Sequence, residues 1–201
     1  MELFPGLYGE ELRAKLKTYS YEGHKTLGYD RAREEMYGYI YNDPNDQAVY
    51  CIYTGLRMPC KYDSMNSGCN SNMNCEHTVP QSFFNKADPM RSDIHHLRGA
   101  WHDANEGRSN YPFKQLNNDD VDAWYGDHEM IIQKTPAKPE EWSGLEKGSY
   151  FMPRDAQKGD TARAVAYFYT VYPTQAGDIT RVFPNVDDMI EWDKKFPPTE
   201  T

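Results

Sequence analysis

With 201 residues, the chain is within reach of one large domain. Apolar residues make up 38%, enough for a core, and no run nears the roughly 18 apolar residues that span a bilayer, so no membrane association is expected. A net charge of −9 and a pI of about 5.1 exclude a protein whose affinity rests on bulk positive charge, but they leave room for a nucleic-acid enzyme with a local basic cleft.

The start, "MELFPGLYGEELRAKL", has no basic stretch followed by an apolar one, so it does not read as a signal peptide. Either the protein stays inside its cell, or this is a mature exported form. The first forty residues predict two helices. Leu12 and Leu16 share one face, and Ala32, Met36 and Ile40 share another, with Asp30 placed as a cap for the second. "QAVYCIYTG" is β-prone and ends on glycine.

A cysteine-rich loop follows, holding Cys51, Cys60, Cys69 and Cys75. The count is even and no C-x-x-C pair is present, which weakens a structural zinc reading. Two disulfides stapling an irregular segment are the favoured account. Reduced thiols and a four-thiolate metal site are the alternatives.

"CEHTVP" predicts a short extended segment broken at Pro80, "DIHHL" predicts a second, and "AWHDANEGR" predicts a short helix ended by Gly107. "KQLNNDDVDAWYGD" reads as polar and turn-rich. "EMIIQKTPAKPEEW" holds a short β-prone piece followed by a proline-marked linker. "KGDTARAVAYFYTVYP" predicts a helix with Asp160 as N-cap, with Val165, Phe168, Tyr169 and Tyr172 on one face, and with Pro173 as its stop. "NVDDMIEWDKKF" predicts a last helix. Nothing reads as an interdomain linker, so one domain over 1–201 is expected.

Glu76–His77 is the stretch that could carry chemistry. A lone histidine is more often a packing residue than a catalyst. No second histidine stands four residues after His77, so the zinc-protease pattern fails. Neighbours on a strand face opposite ways, so Glu76 and His77 could serve one substrate only where a strand twists, bulges or ends. Asn105, on the short helix, offers a neutral carbonyl oxygen. With Glu76 it could hold a hard cation that keeps most of its waters, as magnesium prefers. A neutral His77 could then take a proton from water, and Arg91 and Arg108 could bind phosphate. Either arginine taken singly is more often a surface ion pair. His95 and His96 lack zinc spacing, and the expectation is that one packs in the core while the other stays near the surface.

"CEHTVPQSFF", "PMRSDIHHL", "NEGRSNYPF" and "KGDTARAVAYFY", in that order and spacing, resemble the endonuclease I family, a branch of the ββα-metal (His-Me finger) nucleases. The resemblance covers roughly residues 30–193. It implies a helix-rich α+β fold with a ββα finger over about 74–110. It also implies Mg²⁺-dependent, largely sequence-nonspecific cleavage of DNA, and often RNA, to 5′-phosphate ends. Mn²⁺ or Ca²⁺ are the expected substitutes in the site, and a monomer is the expected state.

By position, the resemblance makes His77 the general base and Glu76 and Asn105 the metal ligands. Arg108 falls on a phosphate contact and Asn110 on a local brace. The connection "QSFFNKADPM" is shorter than in some members and carries Lys86 but no arginine, which leaves Arg91 as a stand-in. Members are usually exported and often disulfide-bonded, so a secreted or periplasmic mature form is expected. The competing readings are a nonenzymatic nucleic-acid-binding module and a disulfide-rich interaction protein. A histidine base must be neutral to act, so activity is expected to rise through a pKa near or above 6–7.

Overall fold

The computed structural model describes residues 3–62, 72–126, 129–132 and 134–198. The N-terminal third holds helix α1 (Gly9–Tyr21) and helix α2 (Tyr29–Glu35), which widens into a π-helical turn at Met36–Ile40. Asp30 does not cap α2. It lies in the first turn, and Gly28 with a positive φ takes the cap position.

Three short antiparallel strands follow, β1 (Asn42–Asp43), β2 (Ala48–Tyr50) and β3 (Arg57–Pro59), paired in that order. Next come β4 (Met73–His77) and β5 (Leu97–Trp101), an antiparallel pair in which Glu76 faces Arg98 and His77 faces Leu97. Helix α3 (His102–Arg108) continues directly from β5. Strand, connection, strand and helix therefore occur in the predicted order over 73–108.

"DIHHL" departs from its prediction. Ile94–His96 curls into a 3₁₀ turn, and the strand starts only at Leu97. The cause is Asp93, whose buried carboxylate accepts hydrogen bonds from the His95 backbone and ring, from the Tyr167 hydroxyl and from the Tyr172 hydroxyl. Wrapping the chain around one carboxylate prevents extension at this point.

A four-stranded antiparallel sheet, ordered β7-β6-β8-β9, is built from β6 (Ala123–Gly126), β7 (Glu129–Ile132), β8 (Ser143–Glu146) and β9 (Tyr150–Met152). β6 arises within the stretch that reads as turn-rich. Ala123, Trp124 and Tyr125 are buried there, and burial outweighs the polar flanks.

Helix α4 (Asp155–Val171) is the spine, packed against α1, the Ile94–His96 turn and helix α5 (Val186–Lys195). It starts five residues before the predicted cap. Asp160 is a mid-helix residue whose carboxylate receives both Nε and an NH₂ of buried Arg98 at 2.7 and 2.9 Å. The predicted face of Val165, Phe168, Tyr169 and Tyr172 is buried. At Gly159 the end of α5 crosses so closely that a Cβ would lie 1.9 Å from the Phe196 carbonyl oxygen. Asn185 caps α5 by accepting from the Asp187 N–H. One continuous hydrophobic core joins these elements, which makes the fold a mixed α+β one containing the ββα unit. Among the described residues, no helix is long and apolar enough to cross a membrane.

Cys51 and Cys75 are free thiols, which overturns the expectation of two disulfides. Cys51 is buried and accepts the Trp101 N–H at 3.1 Å. Cys69 lies outside the described residues, and with it the pairing of Cys60.

Candidate active site

β4 ends at His77, and a cleft of about 300 Å³ opens across its end. Glu76, His77, Asn105, Arg108 and Asn110 all line it, with Cys75, Gln81 and Ser109 among their neighbours. Residues 76–77 and 105–110 are thus gathered at one place by the pairing of β4 with β5 and the packing of α3 on both. Because the strand stops here, two adjacent residues that would face opposite ways both reach the same cavity.

Glu76 is 4% exposed. Burial raises its carboxyl pKa, while the Arg108 guanidinium and the Tyr53 hydroxyl bond oppose that rise. Tyr53 donates its hydroxyl to Glu76 Oε1 at 2.6 Å, and Arg108 Nε lies 3.3 Å from the same oxygen. Tyr53 was not legible from sequence as a site residue. It sits in an apolar, β-prone stretch, where a core tyrosine and a functional one look alike.

His77 is equally buried. Its Nε2 lies 3.0 Å from the Arg91 carbonyl oxygen. A carbonyl only accepts, so Nε2 carries the proton and Nδ1 keeps the lone pair. The ring stacks on Tyr29 with 5.6 Å between centroids, and it meets His96 edge-on at 5.5 Å. Burial pushes the imidazole pKa down to about 3, helped by the nearby His96, while the Arg91 carbonyl bond works the other way. The ionisation of the free imidazole therefore lies below the expected pH 6–7. The free imidazole is already neutral well below that range.

His96 is fully buried and donates through Nε2 to the Met90 carbonyl at 2.7 Å, whereas His95 is exposed. The division of labour expected for this pair is what is found, although the backbone is a 3₁₀ turn rather than a strand.

Arg108, expected at the phosphate, is 1% exposed and turned inward. It donates to the Thr78 and Ser109 carbonyls, each at 2.8 Å, and stacks on Phe113. Its place is that of a brace for Glu76. Asn110, expected as the brace, is exposed at the rim instead. Arg91 does not line the cleft. It serves His77 through its carbonyl, and its guanidinium carbon sits 4.1 Å from the centre of the Tyr29 ring.

Gly107 does not end α3, which runs on to Arg108. Its lack of a side chain serves packing, since a Cβ there would lie 2.2 Å from the Tyr125 hydroxyl. Ser109 turns the chain with φ 50°, a left-handed conformation uncommon outside glycine, on the wall of the cleft.

Glu76 and Asn105 are hard oxygen donors on one cavity. Among the described residues, no group of three or more His, Cys, Asp or Glu side chains is assembled for a metal. A cation here would rest on one carboxylate, one amide and water. That donor set fits Mg²⁺, which keeps several waters, better than Zn²⁺, which takes nitrogen and sulfur ligands.

The Endonuclease I family model matches residues 9–201, nearly the whole chain. The chain belongs to the endonuclease I family. Membership makes it a nuclease, with nucleic acid as substrate, in a family that is typically metal-dependent. No curated protein matches the chain. In this endonuclease I family chain, the ββα unit of β4, β5 and α3 is the part that carries the cleft.

Proposed function

We propose that the chain is a Mg²⁺-dependent, largely sequence-nonspecific endonuclease that hydrolyses phosphodiester bonds of DNA, with RNA as a second substrate, and leaves 5′-phosphate ends. The observation that carries this is the meeting of Glu76, His77 and Asn105 in one cleft at the end of β4. Glu76 and Asn105 would hold the cation, which when bound would offset charge on the phosphate and the leaving oxygen.

His77 is the general base. The Arg91 carbonyl fixes its tautomer, so Nδ1 is the atom that accepts a proton from water as the water oxygen attacks phosphorus. Stacking on Tyr29 and contact with His96 hold the ring plane. Tyr53 and Arg108 hold Glu76 in one orientation and offset its burial. The protein acts as a monomer and is exported as a mature form in this reading.

Nicking of supercoiled plasmid by wild type and His77→Ala, with Mg²⁺ and with EDTA, tests the proposal. Wild type should cut only with metal, and the variant should lose about 10²–10⁴ in rate. Equal cutting in excess EDTA, or a fully active variant, would refute it.

A further inference from the structure

Tyr29 touches both the catalytic histidine and two arginines. Its ring stacks on His77, which lines the cleft. The Arg91 guanidinium carbon lies 4.1 Å from the ring centre, and that of Arg33, from the last turn of α2, lies 5.5 Å away. Both arginines are half-buried, and the Nε of each is buried without a hydrogen-bond partner. Among the described residues, neither reaches a carboxylate, although the chain has 31 acidic residues against 22 basic ones. Arg31, two positions away on the same helix, does pair with Glu34 and Glu35. Two guanidiniums around one ring repel each other. A phosphate brought to the exposed edges of these half-buried side chains offsets that charge.

We propose that Arg33, Tyr29 and Arg91 form a second phosphate-binding station beside the cleft, which grips a phosphodiester of the nucleic-acid strand next to the one being cut. This rests on the nuclease reading above. It adds Arg33 and Tyr29 to the substrate path. It also gives Arg91 a phosphate role outside the cleft, with the stacked tyrosine setting the plane of its guanidinium. The station places positive charge beside the site of an otherwise acidic protein, where a strand would need it to settle.

The test is binding of a fluorescent duplex oligonucleotide in EDTA, by anisotropy, over a series of salt concentrations. Arg33→Ala should bind roughly tenfold more weakly at low salt, and the slope of log affinity against log salt should fall by about 0.9. Arg33→Lys should keep the slope near that of wild type. Arg57→Ala, which removes the same charge from an exposed residue paired with Asp46, should leave it unchanged. If Arg33→Ala fails to fold, Arg33→Gln against Arg33→Lys gives the same comparison.

An unchanged slope in Arg33→Ala overturns the inference, as does a wild type that binds no oligonucleotide at low salt. Inorganic phosphate displacing the oligonucleotide as well as unlabelled duplex does, per phosphate and at matched ionic strength, also overturns it, because the station would then bind any small anion. The plasmid assay separates the two readings. If wild type cuts with Mg²⁺ while the slope does not move, the station fails and the nuclease stands. A wild type that does not cut loses the nuclease reading itself.

Discussion

Replacing Tyr53 by phenylalanine removes one oxygen from behind Glu76 and leaves the ring in place. The ring is fully buried and meets Phe151 edge-on at 4.8 Å, a contact that phenylalanine keeps. The loss is therefore confined to one hydrogen bond, 2.6 Å long, to a buried carboxylate. Bonds of this kind to charged groups contribute about 1.5–3 kcal/mol. In a chain of this size each kcal/mol moves Tm by about 2–4 °C, so a fall of roughly 4–10 °C is expected in thermal denaturation.

The loss depends on pH, and its sign follows from Glu76. Burial raises the folded pKa above the unfolded one, so ionising Glu76 costs stability as pH rises from the unfolded value through the folded one. Without the Tyr53 hydroxyl the folded pKa rises further. The difference between wild type and variant is then largest where Glu76 is ionised in the wild type, and it shrinks where the carboxyl is protonated in both. Because Tyr53 also aims a proposed metal ligand, nuclease activity at limiting Mg²⁺ should fall by about 10–100-fold. A stability change under about 0.5 kcal/mol that is the same at every pH, with activity intact, would show that Tyr53 does not support Glu76.

Three further outcomes are expected. Burial holds His96 near pKa 4, so the unfolded state binds the extra proton between about pH 6.5 and 4. His96 should account for about 3 kcal/mol of the stability lost as pH drops through that window, and His96→Gln should remove that share from a urea-denaturation profile while the share of the still more depressed His77 remains. His77 is also neutral at these pH values, so kcat/KM should show no His77 limb between pH 5 and 8, and a sigmoid rise centred near 6.5 that vanishes in His77→Ala would contradict the buried geometry. Ser109→Gly relieves a left-handed serine and should raise stability by up to about 1 kcal/mol, whereas a lower Tm would mean that the serine side chain supports the cleft wall.

The order of elements through the ββα unit was legible because each has a local cause. A strand next to a proline break, a second run of apolar residues and a short helix rich in alanine and small polar residues announce themselves within a few positions. The stop after Tyr172, before Pro173, is local in the same way. Errors fell where a distant group overrode the local signal. Asp160 has the chemistry of a cap, yet it is drawn into mid-helix as the partner of Arg98, 62 positions away. The start of β5 was misplaced because Asp93 collects hydroxyls from Tyr167 and Tyr172, 74 and 79 positions on.

The candidate site divides along the same line. The sequence alone determined that Glu76, His77 and Asn105 belong together, because the ordered motifs of a family carry that information in short strings. Tertiary structure decided what those three residues experience. Tyr53 and Arg108 converge on one oxygen of Glu76, Tyr29 and the Arg91 carbonyl hold His77, and Arg108 is turned inward while Asn110 lies exposed at the rim. Burial, hydrogen-bond direction and counter-charge are properties of the space between segments far apart in the chain, and no window of sequence contains them.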